Sequence, residues 1–247
     1  MRIFGLIGYP LLHSFSEKYF SEKFRKEKIN DAKYFLFPLK DISDYNSLIQ
    51  RYMFSGLNVT IPFKQSIMQY LDEIDGDAGL AGAVNTIVFK KNNGKILAKG
   101  YNTDVYGFEH LLNLCDFQKA VKALILGTGG AAKAVGCVLN KRKIPFSYVS
   151  RNPLIENALS YQELNNAVIS EHKLIINATP LGMFPETEKF PEIPYECIEK
   201  DHICIDLIYN PEKTEFLARC EQHNALVING MEMFIAQAEQ AWKIWNK

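Results

Sequence analysis

The stretch at residues 121–152, VKALILGTGGAAKAVGCVLNKRKIPFSYVSRN, decides the fold. A charge-free run, ALIL, meets three glycines, Gly127, Gly129 and Gly130. An alanine-rich helical run follows, then a second strand, FSYV. Strand, glycine turn, helix and strand is the shape of a dinucleotide-binding βαβ unit. Glycine permits the tight turn and lets the backbone approach a pyrophosphate, while the helix N-terminus supplies N–H groups and a positive dipole end. Gly127, Gly129, Gly130 and Ala131 are therefore the candidate phosphate cradle, and Ala132 can fill the third small position. A plain strand–turn–helix also needs glycine, so the turn alone does not settle the ligand. The second strand ends in Arg151, where a NAD-binding unit usually carries an acid. A guanidinium can pair with a 2′-phosphate, which favours NADP. An ordinary solvated surface arginine is the other reading.

Working outward, the chain downstream has further short apolar strands, KLIINATP, HICIDLIY and ALVING, each closing on Asn, Asp, Pro or Gly. Runs of this kind belong to a parallel sheet buried on both faces. Upstream, strand-like RIFGLIG, KYFLFPL and SGLNVT alternate with helical patterns from Ser14 to Lys28, over 44–53 and over 64–71. NTIVFKKNNGKILAKG has two strand-like arms around Asn93-Gly94, a hairpin signal. Residues 104–115 form an amphipathic helix that could link two domains, and 231–247 are helical by pattern. The expected fold is α/β: an N-terminal substrate domain (1–104, joined by the 231–247 helix) and a Rossmann-like, doubly wound NADP domain (105–230).

Composition narrows the class of partner. The 247 residues are 47% apolar, a globular composition, and 28 Lys plus Arg balance 28 Asp plus Glu. No net field draws nucleic acid or an anionic membrane, so neither is expected as a partner. The five cysteines and five histidines are scattered, without a metal-ligand spacing, so no metal is expected. The opening MRIFGLIGYP turns too soon for a signal sequence, and no apolar run nears the ~18 residues of a membrane span. A reduced, cytoplasmic protein is the expectation.

GLNVTIPFK (56–64) carries the chemistry of the first half. An apolar strand is stopped by Pro62, and one ammonium, Lys64, follows at the start of the next helix, where a positive charge is unfavourable. GAVNT (82–86) and GYNTD (100–104) end two further strands and supply Asn85 and Asp104. A lysine beside a carboxylate can pass a proton to or from an alcohol, and an amide can fix a hydroxyl. Lys64 also reads as a solvated lysine, and Asp104 as a helix N-cap. Ser14 and Glu17 read as a capping box, whose hydroxyls and N–H groups could equally hold a carboxylate. His13 is read as a turn residue.

Taken in order, these phrases resemble the shikimate dehydrogenase family: GYP with HSFS (13–16), GLNVTIPFK, GAVNT, GYNTD, GTGGAA, SRN, NATPLGM (177–183), DLIYNP (206–211) and GMEMFIAQA. They span nearly the whole chain. The resemblance implies two domains closing around a cleft and the reversible, NADP-linked reduction of 3-dehydroshikimate to shikimate by a cytoplasmic monomer or homodimer. It implies that Ser14 and Ser16 bind the substrate carboxylate and that Thr60, Asn85 and Gln237 hold its hydroxyls. Lys64 and Asp104 handle the proton, and Tyr209 reaches the substrate from the cofactor domain. Asn177, Thr179 and Gly230 join the glycine turn and Arg151 as cofactor-binding positions. The chain departs from the family in three places. Glu17 replaces a usual proline, Ser150 stands where many members have asparagine, and the crossover after Arg151 is short. That crossover has room for about one short helix, and Glu156 stands where a second basic residue often follows, so NADP selectivity is expected to be weaker than usual. The nearest alternative is a quinate/shikimate dehydrogenase using NAD. A non-catalytic NADPH-binding relative would be expected to have lost Lys64 or Asp104, and an unrelated Rossmann oxidoreductase would lack the ordered phrases.

Overall fold

The computed structural model describes residues 1–11, 14–92, 94–115, 121–152 and 158–247. His13, Asn93 and Glu156 lie outside the described residues. By contacts the chain forms two compact units, residues 1–103 with 237–247, and residues 104–236.

The first unit holds β1 (Arg2–Gly8), α1 (Ser16–Lys26), β2 (Ala32–Pro38), α2 (Tyr45–Arg51), β3 (Phe54–Val59), β4 (Glu73–Ile74), α3 (Gly76–Ala81), β5 (Thr86–Asn92) and β6 (Lys95–Tyr101). The strands form one mixed sheet in the order β2-β1-β3-β5-β6-β4. β1 runs parallel to β2 and β3, and β5 and β6 form the expected antiparallel hairpin. Three features differ from expectation. The helix expected over 64–71 is a five-residue 3-10 turn, Ser66–Tyr70, with a single fully buried anchor, Ile67. One turn with one anchor is too short to nucleate an α-helix. Lys64 therefore sits in a turn ahead of it, not at a helix start. α3 was not expected, because GDAGLA carries two glycines, and it ends at Gly82 in the left-handed region (φ 58). The two-residue β4 carries too little pattern to read.

The second unit holds α4 (Thr103–Leu114), β7 (Ala123–Leu126), α5 (Gly130–Lys141), β8 (Phe146–Val149), β9 (Ala158–Leu159), α6 (Asn166–Glu171), β10 (Leu174–Asn177), β11 (Ile203–Asp206), α7 (Glu215–Gln222) and β12 (Leu226–Ile228). α8 (Met231–Trp245) starts there and ends in the first unit. The sheet is parallel at every described pairing, in the order β12-β11-β10-β7-β8-β9. All four residues of β7 and of β10 are buried, as a strand covered on both faces requires. The crossover between β8 and β10 holds α6, six residues long, and a 3-10 turn at Tyr161–Glu163.

The first core gathers Phe4, Phe20, Phe24 and Tyr34 against Trp242 and Trp245 of α8. Trp245 donates its indole N–H to the Ile87 carbonyl at 3.0 Å, which seats the last helix on β5. No helix among the described residues is long and apolar enough to cross a membrane.

Candidate active site

In the first unit the topology brings the motif loops to one edge of the sheet. β1 and β3 are parallel, with Ile7 opposite Val59, so both strands end at the same edge. β5 is antiparallel to β3, so its first residue, Thr86, stands opposite Asn58, and Tyr101 at the end of β6 pairs with Thr86. The loops bearing Ser14 and Ser16, Thr60 and Lys64, Asn85, and Thr103 all leave from that edge. Backbone bonds tie them together. Tyr9 N–H donates to the Ile61 carbonyl at 3.0 Å, Val84 N–H to the Lys64 carbonyl at 2.7 Å, and Asn85 N–H to the Tyr101 carbonyl at 3.0 Å.

A buried polar cluster lies behind the loops. Asn85 Oδ1 accepts from the Thr103 N–H at 2.7 Å and lies 3.1 Å from the hydroxyls of both Thr86 and Thr103. Asn58, 7% exposed, accepts from the Tyr34 hydroxyl at 2.8 Å and donates to the Asn85 carbonyl and to Thr86 Oγ1. Thr103 Oγ1 is 3.3 Å from Gln237 Oε1 in α8. So Asn85 and Gln237, far apart in the chain, share the partner Thr103. Ser14 Oγ accepts from the Ser16 N–H at 3.3 Å, and α1 starts at Ser16 behind Phe15, so the expected Ser14–Glu17 capping box is not the way this helix begins. Asp104 is the second residue of α4, in its acidic first turn, rather than the cap. There its charge faces the positive end of the helix dipole.

In the second unit the candidate residues follow the carboxyl ends of parallel strands, where open α/β sheets bind ligands. Gly127 follows β7 with φ +104, in the region that favours glycine, and a Cβ there would approach Thr179 and Ala178. Gly129 caps α5, and a Cβ on it would meet open space. Gly130 and Ala131 begin α5, a twelve-residue helix whose first N–H groups lack intrahelical partners. The tight contact of this helix with the sheet falls on Gly136, where a Cβ would stand 2.2 Å from the Tyr148 hydroxyl. Arg151 is exposed after β8, near enough to Tyr161 for its charge to lower that phenol's pKa against the larger, raising effect of burial. Gly127 and Asn177 sit at the ends of the paired strands β7 and β10, on either side of the point where strand order reverses.

Asn177 and Thr179 direct their side chains inward. Thr179 donates its hydroxyl to Asn177 Oδ1 at 2.7 Å, and Asn177 Nδ2 donates to both oxygens of Asp206. Asp206 is fully buried and also accepts from the Ile208 N–H at 3.0 Å and the Thr214 hydroxyl at 2.6 Å. Burial raises its carboxyl to about 6 against the opposing effect of these bonds. Tyr209 packs on Phe234 at 4.5 Å between ring centroids. Burial first, then the Asp104 carboxylate, pushes its phenol up to about 12, so it remains a hydrogen-bond donor near neutrality. Gly230 is buried, and a Cβ there would stand 2.2 Å from the Leu207 carbonyl oxygen, so packing alone demands glycine.

The sequence reading left out Thr86, Thr103 and Asp206 as members of these clusters. The repeated Asn-Thr pair at 85–86 and 102–103 was the signal for the threonines. Among the described residues, Glu199, Asp201 and His202 come close enough to share an ion, but Lys173 pairs with both acids and His202 is bonded to the backbone around Glu199. A cavity of about 330 Å³ beside β2 and α2 contains none of the candidate residues.

The family model for the shikimate dehydrogenase substrate binding domain matches residues 6–87. The chain is 39% identical over 261 residues to the shikimate dehydrogenase (NADP(+)) of Methanococcus maripaludis, covering 99% of this chain and 92% of that one. It is 37% identical over 269 residues to the enzyme of the same name from Halothermothrix orenii, covering 99% and 91%. The shikimate 5-dehydrogenase of Thermus thermophilus, solved in complex with NADP(H) and shikimate, superposes with a TM-score of 0.83 at 27% identity, covering 99% of this chain and 93% of that one. The chain belongs to the shikimate dehydrogenases.

Proposed function

We propose that the protein catalyses the reversible, NADP-linked interconversion of 3-dehydroshikimate and shikimate, with the first unit holding the substrate and the second the dinucleotide. The observation that carries this is the Thr103 N–H to Asn85 Oδ1 bond at 2.7 Å together with the Lys64 carbonyl to Val84 bond, which gather the three motif loops at one sheet edge.

The residues present fit NADP. Gly127, Gly129, Gly130 and Ala131 would hold the pyrophosphate at the start of α5, and exposed Arg151 would pair with a 2′-phosphate. Asn177 and Thr179 shape the loop beside the turn, and Gly230 lets the chain pass close to Leu207. When bound, the cofactor supplies or takes the hydride. Ser14 and Ser16 hold the substrate carboxylate, and Thr60, Asn85 and Gln237 hold ring oxygens. As the carbonyl oxygen gains negative charge, the Lys64 ammonium stabilises it and delivers a proton; in the reverse direction it takes one back. Asp104 is the second member of the pair assigned to the proton. Tyr209, kept protonated beside Asp104, is assigned to the substrate. Five free cysteines support a reducing, cytoplasmic setting.

Absorbance at the nicotinamide band, with shikimate and either NADP or NAD, tests the reading. Reduction is expected with NADP at far lower cofactor concentration than with NAD, and Arg151→Ala should narrow that gap by about tenfold or more. A native preference for NAD would overturn the role given to Arg151.

A further inference from the structure

The side chain of Asn177, 0% exposed at the end of β10, is fully used inside the second unit. The amide end that receives the Thr179 N–H at 3.0 Å has to be its oxygen. The Thr179 hydroxyl donates to the same atom at 2.7 Å, so both lone pairs are taken. The NH2 end lies 3.1 and 3.2 Å from the two oxygens of Asp206 and 3.4 Å from the Leu181 carbonyl. Thr179 Oγ1 in turn accepts from the Leu181 N–H at 3.3 Å. One amide therefore fixes the segment from 179 to 181. That segment walls the glycine turn. A Cβ on Gly127 would stand 3.1 Å from the Thr179 methyl and 3.3 Å from the Ala178 carbonyl oxygen. Contact thus runs from Asp206 through Asn177 and Thr179 to Gly127.

We propose that Asn177 and Asp206 are positioning residues for the dinucleotide: neither touches it, and their pairing sets where Thr179 stands against the Gly127 turn. This rests on the reading that the second unit holds NADP. The place at 177 needs an acceptor for the two Thr179 donors, and 177 and 206 need opposite hydrogen-bonding character where they meet. An amide facing a carboxylate meets both needs, and so does the reverse order. A carboxylate at 177 still accepts from both Thr179 groups. An amide at 206 can turn its oxygen to the Ile208 N–H and its NH2 to that carboxylate. The reversed pair gives up the bond from the Thr214 hydroxyl and the long one to Leu181, so it is less stable but leaves Thr179 in place. An apolar side chain at 177 leaves both Thr179 donors without their acceptor.

Calorimetric Kd values for NADP and steady-state kinetics of the native enzyme, Asn177→Leu and the double variant Asn177→Asp/Asp206→Asn test this. Asn177→Leu is expected to raise Kd and KM for NADP about tenfold or more, with a much smaller change in kcat. The double variant should bind NADP within about threefold of the native enzyme. A native Kd in Asn177→Leu overturns the proposal. So does a double variant that folds and loses as much as Asn177→Leu, because the native amide would then contact the cofactor itself. If Asn177→Leu does not fold, Asn177→Ala carries the same comparison. If the double variant does not fold, Asn177→Asp alone at about pH 5.5 replaces it. Asp206 titrates at about 6 even without a second carboxylate, so there the pair holds a proton in place of the NH2. Cys220 and Tyr195, which feel the Asp206 charge, have raised pKa values, Cys220 through Cys204 and Tyr195 through burial, and stay neutral. A Kd for Asn177→Asp at that pH no better than that of the apolar variant overturns the proposal. A native enzyme that binds no NADP overturns the functional reading and this inference together, whereas native binding without the expected loss and recovery overturns the inference alone.

Discussion

Lys64 leaves the sheet five residues after β3 ends, and its backbone carbonyl is clamped to Val84, so its side chain starts from a fixed point. Lys64→Ala removes the ammonium and leaves that clamp intact. Turnover should fall by about two to four orders of magnitude, while the calorimetric Kd for shikimate changes by less than about tenfold. Near-normal turnover would remove the proposed proton donor. Asp206 carries the opposite kind of charge problem. Every neighbour named for its carboxylate is a donor: Asn177, the Ile208 N–H and Thr214. Its pKa is raised from 3.8 to about 6, so in the folded state it holds a proton that the unfolded chain has already released. Stability from this group is present below about pH 4 and is lost as pH rises through about 6, a difference of roughly 3 kcal/mol. Asp206→Asn should flatten the stability curve between pH 4 and 6. It should also destabilise the second unit at neutral pH by about 1–3 kcal/mol, because an NH2 then meets other donors. Urea midpoints measured across that pH range would decide; an unchanged slope would contradict the assignment.

At the scale of elements, the junction of β12 and α8 is held by contact at a glycine. Gly230 N–H donates to the Ile208 carbonyl at 3.0 Å, and the Leu207 backbone occupies the space a side chain would take. Backbone cannot swing aside as a side chain can. Gly230→Ala should therefore lower stability by about 1–3 kcal/mol in denaturant titrations even without cofactor. A loss seen only in cofactor affinity would place its role in binding instead. Strands β1, β2, β3, β5, β6, β7, β8, β10, β11 and β12 and helices α1, α2, α4, α5 and α8 follow the sequence reading, because each carries a clear period or apolar run. α7 did announce itself, with Thr214 at its cap accepting from the Leu217 N–H and a Glu in its first turn, a signal the reading passed over. α3 and β9 could not be read in that way: two glycines or two residues carry no pattern.

Over the whole molecule, α8 closes the first unit from the far end of the chain. Trp245 fills the space above Gly56, and Glu239 accepts from Tyr19 and Lys23 of α1. Separate strand ends come together because parallel β1 and β3, with antiparallel β5 and β6, turn their loops to the same edge. The amino-acid sequence determined the two α/β sheets, the glycine turn, Arg151 and the ordered motifs, because periodicity and turn chemistry act over a few residues. Tertiary structure alone decided that Asn85 and Gln237 share the partner Thr103, that Asn177 spends its side chain on Asp206, and that packing demands glycine at 230. Those outcomes depend on hydrogen-bond partners and close contacts between segments distant in the chain, which no local pattern encodes.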